Sequence, residues 1–270
     1  MKHKVSVTII LVILFLAAQL IGLTVVNQYY KTDLPEDEQK VLPLGIERPE
    51  VEEEFSYIPL LIAIVIATGL ALLLINLGAQ KLWKVWFFVA TFYLLSIAFA
   101  AFFNDIIAFI IALALVLLRT FRLSVISHNF VELFVYSGIP AIFAPILSIT
   151  SVSILLIVIA IYDMIAVWKT KHMVKLAKFQ TKSKVFAGLF IPYMKGKKAA
   201  ILGGGDVGFP MLFAGVVFLN YGWLSAIITS VVTSIALLIL LLMSKKNKFY
   251  PAMPFIGAGC FVGFFISLLV

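Results

Sequence analysis

Four carboxylates lie inside or at the edge of long apolar stretches of this chain: Asp105, Glu132, Asp163 and Asp206. An ionised side chain at the centre of an apolar helix in lipid costs at least about 2.5–3.5 kcal/mol, so each needs a reason. Asp163 and Asp206 have the most informative surroundings. Two carboxylates in contact cannot both ionise cheaply, so such a pair shares one proton. The ionised member can take a proton from water while the protonated member donates to a carbonyl oxygen. Water then adds to a peptide bond without a metal or a covalent intermediate. The same pair can instead couple protons or cations to transport. Position alone leaves both chemistries open.

The elements that hold these acids follow from composition. Of 270 residues, 63% are hydrophobic and 13% charged, about half the charged share of a globular domain. Mean hydropathy is +1.13. The apolar residues fall in nine blocks, at 5–27, 57–79, 85–103, 105–118, 124–145, 148–168, 199–219, 222–243 and 251–269. A soluble core of this size cannot hide them, so the sequence predicts an all-α polytopic membrane protein with nine transmembrane helices. The fourth block is short for a perpendicular crossing, and is expected inside the bundle or in thinned lipid. The first follows Lys2 and Lys4 but has no small-residue cleavage site, which predicts a retained span. A single cysteine, Cys260, excludes an internal disulfide and any cysteine-ligated zinc or iron–sulfur centre.

The net charge of +8 is a topology signal and does not point to nucleic acid. With a cytosolic N-terminus and nine crossings, 18 of the 21 basic residues fall inside, leaving Lys31, Lys40 and Arg48 outside. Arg119 and Arg122 belong to one of the inner loops on this count. The C-terminus is then outside, in a multi-pass protein of the cell membrane. Nine of the 13 acids lie in the first outer loop, 29–56, which is polar and proline-containing. The chain divides into a six-span N-terminal region (residues 1–168), a basic cytosolic loop with an apolar insert (residues 169–198) and a three-span C-terminal region (residues 199–270).

This topology brings the two aspartates to one depth. Asp163 precedes Lys169 by six residues, or roughly 9 Å below the cytosolic boundary. Asp206 follows Lys198 by eight, or roughly 12 Å, on a helix running the other way. Asp206 also follows Gly203-Gly204-Gly205, a poor start for a buried helix, at about 1 kcal/mol per glycine. Close packing by small residues explains one or two of these glycines less awkwardly than three. Extended, accessible backbone at 203–205 would suit a site where a substrate helix is unwound and held as an added strand. A third irregular element, Pro251-Ala252-Met253-Pro254, opens the last block at a similar depth.

Tyr162-Asp163, Gly203-Gly204-Gly205-Asp206 and Pro251-Ala252-Met253 together resemble the Tyr-Asp, Gly-x-Gly-Asp and Pro-Ala-Leu signatures of the presenilin and signal peptide peptidase family of intramembrane aspartyl proteases. The stretch 162–173 is similar to archaeal presenilin homologues. Met253 departs from the family's leucine by a similar-volume swap that keeps the element working. The resemblance implies that Asp163 and Asp206 are the catalytic pair, with Tyr162, the three glycines, Pro251, Ala252 and Met253 shaping the site or docking substrate. It implies cleavage of transmembrane protein or peptide substrates in contact with membrane lipids, with no metal, no organic cofactor and no evident accessory subunit. The charge partition matches the presenilin orientation, which favours substrates whose own N-termini lie outside.

Other residues weigh less. Glu132, with Asn129 and His128 one turn away, is expected to glue helices together, or else to tune the pair or a proton path. Asp105 is expected at a solvated outer turn. His3 and His172 lack metal-ligand spacing with a carboxylate. Gly259 and Gly263 have the spacing of a helix-packing face. The apolar insert 185–194 is too short to cross as a helix, and is expected either at the interface or as a strand near the site. A prepilin-type peptidase shares the Gly-x-Gly-Asp aspartate but not the nine spans. A cation leak channel or proton-coupled transporter is the alternative of another class.

Overall fold

A computed structural model describes residues 5–31, 40–45, 55–121, 124–169, 179, 185–193, 198–244 and 250–270. Most of the basic loop residues on which the orientation rests, Lys2, Lys4, Arg122, Lys171 to Lys184, Lys195, Lys197 and Lys245 to Lys248, lie outside the described residues, as do His3, His172 and the acids of the first loop.

The chain is mainly helical: α1 (Val5–Tyr29), α2 (Tyr57–Asn76), α3 (Gln80–Ala100), α4 (Asp105–Phe121), α5 (Val125–Val135), α6 (Gly138–Phe143) and α7 (Ile149–Met164), then strands β1 (Gly188–Tyr193) and β2 (Lys198–Gly203), then α8 (Gly204–Met243) and α9 (Met253–Ser267). Each apolar block contains helix, yet only six helical runs among the described residues are long and apolar enough to cross a membrane. α4 has 17 residues and α9 has 15. The seventh and eighth blocks join in the 40-residue α8, broken at Gly222, where φ is 80°. α4 lies at the edge of the bundle: Ala108, Ala112, Val116 and Arg119 form one buried stripe, Phe109, Ile111 and Leu115 are half-buried, and its remaining large apolar side chains are exposed.

The first half of α8 is the centre of the molecule. Val207, Met211, Leu212, Phe213, Val216, Val217 and Phe218 are buried on every side of the helix, which is the pattern of a helix surrounded by others. α1, α6, α7 and α9 pack around it. The second half of α8 meets α9 closely. A methyl group at Gly263 would come within 2.7 Å of the Thr229 backbone, and one at Gly259 within 3.0 Å of Thr233, so these two glycines let the helices touch.

Two departures from the sequence reading matter for the site. Residues 199–202, expected to begin the seventh helix, lie in strand β2, paired antiparallel with β1 in the register Gly188↔Gly203 to Tyr193↔Lys198. Leu189, Ile191, Ala200 and Leu202 bury one face of this hairpin against α1 and α5, while Ile201 on the other face is exposed. An apolar run of this kind fits either element, and alternate-residue burial decides for strand. The second departure is at Gly204 and Gly205, which are helical instead of extended. The helix starts there because its third residue, Asp206, supplies the first turn with a cap.

Candidate active site

Asp163 sits in the last turn of α7, just before a wider π-helical turn at Ile165–Lys169. Its carboxylate is buried, and Oδ2 accepts the N–H of Met253 at 3.1 Å. The Met253 N–H, first in α9, has no acceptor within its own helix, and the N-cap residue, Ala252, makes no side-chain cap bond. Asp163 serves as that cap from another helix. An anion is also favoured by the positive end of the helix dipole.

Asp206 holds the equivalent position at the head of α8. It reaches back to the N–H of Gly203, accepting it on Oδ2 at 3.2 Å, which is the return half of a capping box. Gly203 is extended, the last residue of β2 and the N-cap of the helix at once. Asp163 lies within electrostatic reach of Asp206. Tyr162 is half-buried beside Asp163, Pro251 is buried, and Ala252 packs against the apolar cluster that contains Leu189 and Leu202 of the hairpin. The three sequence elements therefore meet, through Asp163 and Met253 on one side and through the hairpin on the other.

The glycines differ in what they leave room for. A methyl group on Gly204 would lie 2.6 Å from the Tyr136 hydroxyl and 2.8 Å from its ring, so this position admits no side chain. One on Gly205 would meet only the ring of Phe209, at 3.5 Å, and Gly205 is exposed. Gln19 of α1 donates from Nε2 to the carbonyl of Val207 at 3.1 Å, tying a third helix to the residue after Asp206.

Glu132 is fully buried and paired with Arg119. It accepts from the Tyr136 hydroxyl one turn along and from the Gly188 N–H at 2.9 Å. It does glue elements together, with a strand as well as helices among them. Arg119, read from sequence as a loop residue, is inside the protein. Its guanidinium stacks over Phe87 at 4.5 Å and donates to the Phe186 carbonyl at 2.7 Å and to Thr91 at 3.3 Å. Tyr136 and Gln19 escaped the sequence reading altogether. For Tyr136 a signal existed, four residues from an intramembrane acid on the same helix face. Asp105 is exposed at the head of α4, beside an Asn104 side chain that accepts the Ile107 N–H.

The chain is thus a mostly helical, membrane-spanning bundle in which an aspartate bonds the head of each of two helices. The family described as signal-peptide peptidase, presenilin aspartyl protease matches residues 12–270. Two solved structures, each of a presenilin family intramembrane aspartate protease, in crystal forms C222 and P2, share this fold. The first has a TM-score of 0.67 and 18% identity over 97% of this chain and 98% of its own. The second has 0.65 and 18% over 96% of each. No curated protein matches the chain. The chain belongs to the signal-peptide peptidase and presenilin aspartyl protease family, and is an aspartic endopeptidase of the intramembrane-cleaving kind. The channel or transporter reading draws no support from these matches.

Proposed function

We propose that Asp163 and Asp206 are the catalytic pair and hydrolyse peptide bonds within transmembrane segments of substrate proteins. One carboxyl is protonated and the other ionised. The ionised one removes a proton from water, whose oxygen attacks the carbonyl carbon as the protonated one donates to the carbonyl oxygen. The resulting diol collapses when the amide nitrogen takes a proton and leaves. The observation that carries this reading is the seating of both acids at helix heads, Asp163 on the N–H of Met253 and Asp206 on the N–H of Gly203.

Substrate enters as an added strand along β2. Both outer backbone groups of Gly188 and of Phe190 on β1 bond to side chains of α5. By the alternation of a strand, the outward groups of β2 are those of Ala199, Ile201 and Gly203, and the Gly203 N–H is already taken by Asp206, which leaves Ala199 and Ile201 as the docking edge. A substrate segment unwinding in lipid would recover there the hydrogen bonds it gives up, each worth several kcal/mol if left unpaired. Tyr162, Gly205, Pro251, Ala252 and Met253 line or shape the same site.

The nine-crossing topology, N-terminus in and C-terminus out, belongs to the same proposal. At about 1.5 Å per residue α8 is roughly 60 Å long, twice a bilayer core, and the break at Gly222 supports two crossings. The six-span N-terminal region, the connecting segment 169–198 and the three-span C-terminal region act as one unit in the cell membrane. They act on substrates with N-termini outside. Incubating purified protein with a labelled single-span substrate, beside Asp163→Ala and Asp206→Ala, tests the proposal. Cleavage by either variant at the wild-type rate would refute it.

A further inference from the structure

The outer edge of β1 is covered by a single helix face. His128, Asn129 and Glu132 of α5 stand at spacings of one and three residues. The amide of Asn129 accepts the Phe190 N–H at 2.9 Å and donates to its carbonyl at 2.7 Å, as a neighbouring peptide group would. Glu132 accepts the Gly188 N–H, and His128 Nε2 lies 2.9 Å from the Gly188 carbonyl. Because a carbonyl only accepts, that nitrogen carries the proton. Four backbone groups that would otherwise be unpaired in an apolar setting are thus all bonded.

The same side chains clamp the entry to the hairpin. Arg119 bonds the Phe186 carbonyl and Glu132 bonds the Gly188 N–H, so the ion pair grips the chain on both sides of Ala187. The carbonyl of Ala187 in turn accepts the N–H of Gly204 at 3.1 Å, two residues before Asp206. Tyr136, bonded to Glu132, fills the space over Gly204. Gly188 itself has φ of 144°, and a methyl group there would lie 2.2 Å from the Leu202 carbonyl, so the clamped turn allows no side chain.

We infer that Arg119, Asn129 and Glu132 are positioning residues of the reaction: α5 and α4 act as a surrogate third strand that fixes the register of the hairpin, and the hairpin fixes Asp206. This rests on the proposed catalytic pair. The ion pair lies outside the reacting atoms, and its charge is neutralised within the clamp.

The test uses the full chain in detergent, a labelled single-span substrate, and two variants. Asn129→Leu removes both bonds to Phe190 without introducing charge. Arg119→Met with Glu132→Met removes the clamp as an uncharged pair, and such replacement of a buried ion pair leaves folding intact in other proteins. Turnover per folded molecule should fall about 100-fold, the effect of displacing a reacting group by about 1 Å. Cleavage should also spread to bonds two residues away, because a strand that keeps its faces slips in steps of two. Should Asn129→Leu fail to fold, the double variant carries the test alone. Folded variants that cut at the wild-type bond and rate would overturn the inference. So would a loss that only tracks the folded fraction with the cleavage position unmoved. Cleavage that persists in Asp206→Ala would instead overturn the catalytic assignment, which separates the two failures.

Discussion

Asp163 caps a helix to which it does not belong: its carboxylate accepts the N–H of Met253, 90 residues further along the chain. The side chain thereby has a structural role beside its proposed chemical one, and variants can tell the two apart. Asp163→Asn keeps an oxygen that can accept from Met253, whereas Asp163→Ala does not. Both should lose cleavage entirely. Only Asp163→Ala should lose stability as well, by about 0.5–2 kcal/mol, the usual worth of an N-cap. Thermal melts of the two purified variants, beside Asp206→Asn, check this. Equal melting temperatures for Asn and Ala at 163 would remove the capping role.

Activity should be bell-shaped in pH. On the acid side both aspartates hold a proton and none can activate water. On the alkaline side both are ionised and none can donate to the carbonyl oxygen. The two limbs belong to the pair and not to either residue. Measuring kcat/KM for one substrate across acidic and neutral pH decides the matter. A flat profile contradicts a shared proton.

Gly204 and Gly205 should respond in opposite ways. Gly204→Ala drives a methyl group into Tyr136 and should destabilise the protein by about 1–3 kcal/mol, with activity falling alongside. Gly205→Ala has room and should melt at or above the wild-type temperature, since Ala is the better helix former by about 1 kcal/mol. Gly205→Val, bulkier beside the carboxylate of Asp206, should reduce cleavage more than it reduces stability. A Gly204→Ala protein as stable as wild type would mean that Tyr136 yields easily.

Proline can separate the two edges of β2. Pro192 already sits in β1 where, by alternation, its missing N–H faces away from β2. Ile201→Pro should likewise leave the hairpin paired, because the lost N–H points outward. It should raise KM about tenfold, the equivalent of one hydrogen bond of ~1.4 kcal/mol. Ala200→Pro removes a ladder bond and should destabilise the hairpin itself. Unchanged KM for Ile201→Pro, with the fold intact, would exclude this edge as the docking strand. Deleting 185–194 is a harsher version that also strips Glu132 and Asn129 of their strand partners, so it should cost stability as well as processing.

The helices and the two aspartates were legible because lipid makes each charge in an apolar run conspicuous. Motif residues at 162–163, 203–206 and 251–253 then led to one site. The strand at 198–203 was not legible: Ala199 to Leu202 are as apolar as the helix that follows, and only the alternate burial of Ala200 and Leu202 tells them apart. The burial of Arg119 was hidden for the opposite reason. Its charge suits a loop, and what draws it inward is Glu132 on a different helix, a contact that no local pattern records. The glycines at 204 and 205 suggested open backbone, whereas their small size serves close approach at one and access at the other.

No connecting loop separates β2 from α8: Gly203 ends the one and caps the other, and Asp206 follows three residues later. A segment that pairs along β2 therefore takes hold of the same rigid piece that carries the acid. On the proposed docking, full pairing would seat both, while a segment that stays coiled would leave the edge empty and the acid without a bond to attack. If substrate docks along β2 as proposed, this continuity makes unwinding the condition of being cut, which spares intact transmembrane helices, the enzyme's own included. Discrimination on that footing would be a matter of how readily a helix comes apart, more than of which side chains it displays.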